Sequence, residues 1–209
     1  GVTMTTPSLP IFKTPEGQTR YYAAYDETLK LWSVPIETRQ VPTRFGRTHL
    51  NLCGPQDAPP LVIIPGQAAS STMWYPNIAG LSRTHRVYVM DIIGDLGKSV
   101  CERRLMQPAD FTDWMTDLFD GLQLPQADVA GLSYGGFIAL QWALSAPQRV
   151  RKVVAMAPAS LLAIRKCFFV RMMAMLLPSF ILSVKAKQKI LLGVYTPEAA
   201  PMIKQMFTT

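Results

Sequence analysis

Around residue 133 the chain reads Val129-Ala130-Gly131-Leu132-Ser133-Tyr134-Gly135-Gly136, a serine with a glycine two residues to either side. That G-x-S-x-G spacing is what a sharp strand-to-helix turn requires if it is to hold a hydroxyl outward, because side chains at the flanking positions would collide across the turn. The chemistry open to such a serine is nucleophilic attack on a carbonyl carbon. It needs a base to take the hydroxyl proton and donors to stabilise the oxyanion that forms. One donor follows from the motif itself: the backbone N–H of Tyr134 starts the next helix, where amides lack intrahelical partners and the dipole favours an anion. The second is expected from the loop after the apolar run Leu61 to Pro65, which reads Gly66-Gln67-Ala68-Ala69-Ser70-Ser71, with the N–H of Gln67 as the candidate. Met73, Trp74 and the ring of Tyr134 are candidates for lining an acyl site, with core packing as the equally simple reading.

A base and an acid are harder to place. The chain has two histidines, His49 and His85, and both precede Ser133. His49 falls in an early hairpin, and His85 introduces the strand Arg86 to Asp91 at its amino end. Sites in open α/β sheets lie at the carboxyl ends of strands, so His85 is on the wrong side. After Ser133 the one acidic residue is Glu198, in Thr196-Pro197-Glu198, which reads as a helix start. Asp91 and Asp95 follow a strand on the correct side and read as turn residues.

The elements that must position the serine are legible from periodicity. Four short apolar runs, Leu61 to Pro65, Arg86 to Asp91, Ala127 to Leu132 and Lys152 to Ala157, alternate with helical patterns. That alternation is the signature of parallel strands covered on both faces, an α/β doubly wound sheet. The clearest helix is Asp110 to Leu122, whose Phe111, Trp114, Met115, Leu118, Phe119 and Leu122 form one apolar stripe. A second apolar helix, Phe137 to Ala146, follows the serine. Upstream, residues 1 to 18 are rich in Thr and Pro and are expected to run extended, followed by a helix over Thr19 to Ser33. A hairpin is expected with Arg44-Phe45-Gly46 between Gln40–Thr43 and Arg47–Leu52.

The composition, 49% hydrophobic and 17% charged over 209 residues, is that of a globular chain with one sizeable core. The net charge of +7 is concentrated past Leu161, where seven basic residues face Glu198 alone. No basic stripe with interleaved aromatics occurs elsewhere, which argues against nucleic acid. Cys53, Cys101 and Cys167 are odd in number and far apart, without metal-ligand spacing, so they read as reduced thiols of a cytoplasmic protein that needs no metal. Residues 1 to 10 lack the charged and apolar regions of a signal peptide. Cys167 to Val184 is apolar, but Arg171 and Pro178-Ser179 interrupt it, so lid helices over an apolar pocket are expected rather than stable membrane insertion. Met172, Met173 and Met175 would let that lid adapt to varied apolar groups.

Taken in order, Pro65-Gly66-Gln67, Ser71-Thr72-Met73-Trp74, Asp91-Ile92-Ile93-Gly94-Asp95 to Ser99, Gly131 to Gly136 and Pro147-Gln148-Arg149-Val150 resemble the α/β-hydrolase superfamily. The runs Thr43 to His49 and Trp74-Tyr75-Pro76-Asn77-Ile78 are similar to bacterial carboxylesterases of the naproxen-esterase type. The resemblance covers residues 20 to 160 and implies an α/β-hydrolase fold: a mostly parallel sheet with helices on both faces and a helical lid. It further implies a serine carboxylesterase that works through an acyl-serine intermediate without a cofactor, its nucleophile, acid and histidine occurring in that chain order. The chain departs from the superfamily in having Pro65-Gly66 where His-Gly is usual, and a turn one residue longer after Asp91.

Three regions are expected: 1–35 as an N-terminal extension and helix, 36–160 as the N-terminal part of the hydrolase core, and 161–209 as lid. On this resemblance the final strands, the acid and the histidine should follow residue 209, and the 209-residue piece alone should be inactive. The uncovered sheet edge should be met by a homo-oligomer or a complementing C-terminal polypeptide. The alternatives are a non-catalytic binding or scaffold protein on the same fold, and another serine hydrolase such as a lactonase, thioesterase or C–C hydrolase.

Overall fold

The computed structural model describes residues 11–158. Seven strands form one sheet in the order β1-β2-β4-β3-β6-β7, with the short β5 paired beside β2. They are β1 (Glu37–Thr43), β2 (Gly46–Cys53), β3 (Pro60–Ile64), β4 (Arg86–Met90), β5 (Val100–Cys101), β6 (Ala127–Leu132) and β7 (Val150–Met156). Four α-helices accompany them: α1 (Pro15–Leu29), α2 (Tyr75–Leu81), α3 (Pro108–Gly121) and α4 (Tyr134–Ser145). β1 and β2 form the expected antiparallel hairpin, closed at Thr43 and Gly46, and β2 runs antiparallel to β4. The pairs β3–β4, β3–β6 and β6–β7 are parallel.

The continuous apolar character of the central strands has a direct structural reason. Successive side chains of β3 enter two different cores: Val62 and Ile64 pack with α3 and α4 residues such as Trp114 and Trp142, whereas Leu61 and Ile63 pack with Trp32 and Ile78. A strand buried on both faces leaves no position for a polar residue, so the sequence cannot alternate. The α3 stripe lies in the first core with Trp114, Met115, Leu118 and Phe119 fully buried. Trp114 also donates its indole N–H to Thr48 Oγ1 of β2 at 2.7 Å, which fixes the helix along the sheet. Asp110, buried in the first turn of α3, accepts from the backbone N–H groups of Met106 and Gln107, so its burial satisfies amides that a helix end leaves open.

The bounds of α1 differ most from the sequence expectation. The N-terminal helix begins at Pro15, not Thr19, because Thr14 Oγ1 caps the N–H of Gly17 at 3.0 Å and Pro15 occupies the first helical position. Residues 15–18 are therefore helical where an extended run was expected. Trp32 lies past the end of α1 and reaches the core from the following turn. The lid expected over 161–209, with Cys167 and Met172, Met173 and Met175, lies outside the described residues. Cys53 and Cys101 are free, buried thiols, and burial pushes Cys53 up to about 11. Among the described residues no helix is long and apolar enough to cross a membrane.

Candidate functional site

The loops that leave the carboxyl ends of β3, β4 and β6 meet at one end of the sheet, where open α/β sheets place their ligands. Ser133 occupies the single residue between β6 and α4. Its backbone has φ 52° and ψ −112°, a conformation rare for a residue with a side chain. The packing around it explains why that strain is held. A Cβ on Gly131 would lie 2.1 Å from the carbonyl oxygen of Gly135, and a Cβ on Gly135 would lie 2.3 Å from Pro65 O and 2.4 Å from Ile64 O. The turn thus closes on itself and against the end of β3, with room for hydrogen atoms alone. Ser133 N–H donates to Met156 O at 2.8 Å, tying the turn to β7 as well. The Ser133 hydroxyl has no hydrogen-bond partner among the described residues.

The loop after β3 comes to the serine. A Cβ built on Gly66 would be 3.8 Å from Ser133 Cβ, so a side chain at position 66 would touch Ser133 across the two loops. Gln67 and Tyr134 line one cavity of about 330 Å³ together with Ile92, Ile93, Asp95 and Leu105. The structure therefore brings Ser133, Gln67 and Tyr134 to a common region. Tyr134 stacks on Phe137 at 6.2 Å and meets Phe111 edge-on at 6.1 Å. Burial and the nearby charge of Asp95 push its phenol up, which keeps it a neutral hydrogen-bonding group. Met73 and Trp74 are placed differently. Trp74 is buried in the smaller core, Met73 packs against that core, and neither lines the cavity.

Asp91 and Asp95 turn out to do more than turn the chain. Asp91 is fully buried and accepts from the N–H of Ser71 at 2.7 Å and of Lys98 at 2.8 Å. Asp95 accepts from the N–H of Ala68 at 2.9 Å and of Leu96 at 2.7 Å. Both carboxyl groups thereby hold the loop that carries Gln67. Sequence reasoning missed this because the partner amides in that loop lie 20 and 27 residues away. One local signal was present: Gly97, at φ +137°, is where a Cβ would fall 2.5 Å from Asp91 Cγ, so the longer turn folds back over the Asp91 carboxyl group.

Neither histidine bonds to Ser133. His85 precedes β4 at its amino end, as expected, with Nδ1 2.8 Å from Thr84 Oγ1 and Nε2 3.9 Å from Asp128 Oδ2. His49 lies in β2, with Nδ1 3.0 Å from Gln40 Nε2. Its Nε2 is buried without a partner. Burial pulls the His49 imidazole below its ordinary value, with Asp91 acting in the opposite direction. Folding thus favours the neutral ring, so as pH falls the unfolded chain takes up the proton first. Stability from this residue is complete above about pH 6.5 and declines as pH drops below it. Urea melts at pH 7.5 and 5.5 should show that decline, and His49→Gln should flatten the part lying above about pH 5, where carboxyl groups do not yet titrate.

A comparison with known protein families matches residues 59–184 to the α/β hydrolase fold. The chain belongs to the α/β-hydrolase family. Among curated relatives, the carboxylesterase YbfK of Bacillus subtilis is 47% identical over 148 residues, covering 71% of this chain and 50% of that protein. An uncharacterized carboxylesterase, nap, from the same organism is 44% identical over 140 residues, covering 67% and 47%. The crystal structure of the naproxen esterase (carboxylesterase NP) of Bacillus subtilis superposes with a TM-score of 0.73 at 39% identity, covering 82% of this chain and 59% of that one. The chain spans about half the length of the curated relatives it matches. The resemblance drawn from the motifs is borne out, and so is the mostly parallel sheet.

Proposed function

We propose that this α/β hydrolase is a serine carboxylesterase in which Ser133 is the nucleophile. The observation that carries the proposal is the backbone of Ser133, at φ 52° between β6 and α4, wedged by two glycines that admit no side chain. Strain of this kind costs on the order of 1–3 kcal/mol and is kept where it presents a reacting group. The likeness to two Bacillus carboxylesterases supports the choice of esters over other acyl compounds.

In the proposed reaction Ser133 Oγ attacks the ester carbonyl carbon as its proton passes to a base. The carbonyl oxygen becomes an oxyanion and receives the N–H groups of Gln67 and Tyr134. Collapse of the intermediate breaks the carbon–oxygen bond to the alcohol, which leaves with the proton. Water then attacks the acyl-serine by the same route and releases the acid. Cofactors have no part in these steps. The base and the acid come from outside residues 11–158, since neither histidine among them reaches Ser133 and Asp91 and Asp95 are occupied by backbone amides.

An alkyl fluorophosphonate tests the assignment, because it couples to an activated serine and leaves its phosphorus on Oγ. The native gene product should gain the mass of one phosphonyl group on the peptide containing Ser133 and lose hydrolysis of p-nitrophenyl butyrate in parallel. Absence of both labelling and hydrolysis would favour a binding or scaffold role for the fold. Labelling without ester turnover would favour a lactone, thioester or C–C substrate.

A further inference from the structure

A buried polar cluster joins the N-terminal helix to the loop that carries Gln67. Tyr25 in α1 is 3% exposed, and Asn51, Ser71 and Asp91 are fully buried around its hydroxyl. Tyr25 OH lies 3.0 Å from Asp91 Oδ2 and 2.8 Å from Ser71 Oγ. Asn51 Nδ2 donates to Tyr25 OH at 2.6 Å and to Ser71 Oγ at 2.8 Å.

The chemistry of the two ends sets the direction of every proton. The amide nitrogen of Asn51 can only donate and the ionised carboxyl group of Asp91 can only accept. Tyr25 has one proton, and it goes to Asp91. Ser71 therefore donates to Tyr25. All the donors run toward Asp91, whose other oxygen takes the Ser71 amide. Both hydroxyl groups and the Asp91 carboxyl group are bonded within the cluster, while Asn51 Oδ1 has no partner, so removing one hydroxyl leaves further groups short in a site closed to water.

We infer that Tyr25 and Asp91 are positioning residues that set the Gln67 loop against Ser133, so that helix α1 acts on the reaction without touching the substrate. The inference rests on the esterase reading for its kinetic consequence but not for its structural one. Ser71 and Ala68 flank the segment at its two ends, each held by a carboxyl group of the 91–95 turn, and Gln67 lies beside the second anchor. Ala68 has φ 56°, a strained value for a residue with a Cβ, so the loop keeps this shape only while its anchors hold. Tyr25 and the Lys98 amide both donate to Asp91 Oδ2, the oxygen that does not take the Ser71 amide, and Tyr25 also meets the Ser71 hydroxyl.

Tyr25→Phe removes one oxygen and keeps the ring, and Ser71→Ala removes the adjoining hydroxyl. In amide hydrogen exchange on the native gene product, either variant should speed exchange across residues 66–72 about tenfold, with α3 and β6 unchanged. In hydrolysis of p-nitrophenyl butyrate, kcat should fall about 10- to 100-fold with KM within about twofold, the pattern of a displaced transition-state donor. Unchanged exchange over 66–72 in both variants would overturn the inference, as would faster exchange spread evenly over the sheet. A rise in KM at constant kcat would also overturn it. If the unmodified protein neither hydrolyses esters nor takes the phosphonate, the esterase reading fails while the exchange result still decides whether α1 holds the loop.

Discussion

Ser133→Ala is expected to lower kcat for p-nitrophenyl esters by about 10⁴- to 10⁶-fold, the scale seen when an enzyme loses its nucleophile but keeps its oxyanion donors and binding surface. The prediction is sharp because the substitution should cost the fold almost nothing. The Ser133 hydroxyl bonds to no described residue, and alanine has the same Cβ, so the strain at φ 52° is unchanged. A variant with an unshifted melting temperature and no turnover separates chemistry from folding. Turnover retained at even a few per cent would remove Ser133 from the mechanism, and with it the reading of Gln67 and Tyr134 as oxyanion donors. The serine's own amide is already committed to Met156 O, whereas Tyr134 opens α4, where the first amides have no intrahelical acceptor.

Much of this arrangement is legible in the sequence, for reasons that differ by element. The central strands were legible because burial on both faces leaves an unbroken apolar run. β6 occupies Ala127–Leu132, the span expected from pattern alone. The α3 stripe was legible because a helix against a sheet must repeat its apolar residues every three or four positions, and all six expected positions are buried. The start of α1 was not, since the capping serves one turn and Thr14-Pro15 sits within a Thr- and Pro-rich run that reads as extended. Asp91 and Asp95 were understood only in part. A turn aspartate usually bonds its own loop, as Asp95 does with Leu96, and nothing local marks the second bond to Ala68 or Ser71 in a different loop. Met73 and Trp74 read equally as acyl-site lining or as core packing, and a 3₁₀ turn over Ser71–Trp74 places Trp74 in the smaller core with Met73 packed against it.

The resemblance to esterases and the geometry of the turn bear on different questions. Family membership accounts for the sheet order and for the region where loops converge. It does not account for why this chain lacks the usual His-Gly before its Gln67 loop. The carboxyl groups of Asp91 and Asp95 supply a physical reason that the loss is tolerated: the loop is held by its backbone amides at Ala68 and Ser71, which needs no particular side chain at position 65. Pro65 itself is buried, and its carbonyl oxygen forms part of the wall against Gly135.

That wall sets the largest expected effect on stability. In Gly135→Ala the new methyl group would stand 2.3 Å from Pro65 O and 2.4 Å from Ile64 O, both backbone atoms that no rotamer change can move. Gly131→Ala meets the Gly135 carbonyl oxygen at 2.1 Å with the same consequence. Relief requires α4 to shift away from β3, which would separate Ile138, Ala139 and Trp142 from the core they share with Val62 and Ile64. Each substitution should therefore destabilise by about 4 kcal/mol or more, in the range reserved for overpacking and strain at special backbone positions. For a domain of this size that corresponds to a fall in melting temperature of roughly 8–16 °C. Gly80→Ala is the matched control: the glycine is exposed in α2 with nothing within 4 Å of a new Cβ, so the methyl group should be neutral or add about 0.5–1 kcal/mol through helix propensity. If Gly135→Ala melts with Gly80→Ala, the turn is not wedged as described, and the strain at Ser133 must be held by something other than the contact between α4 and the end of β3.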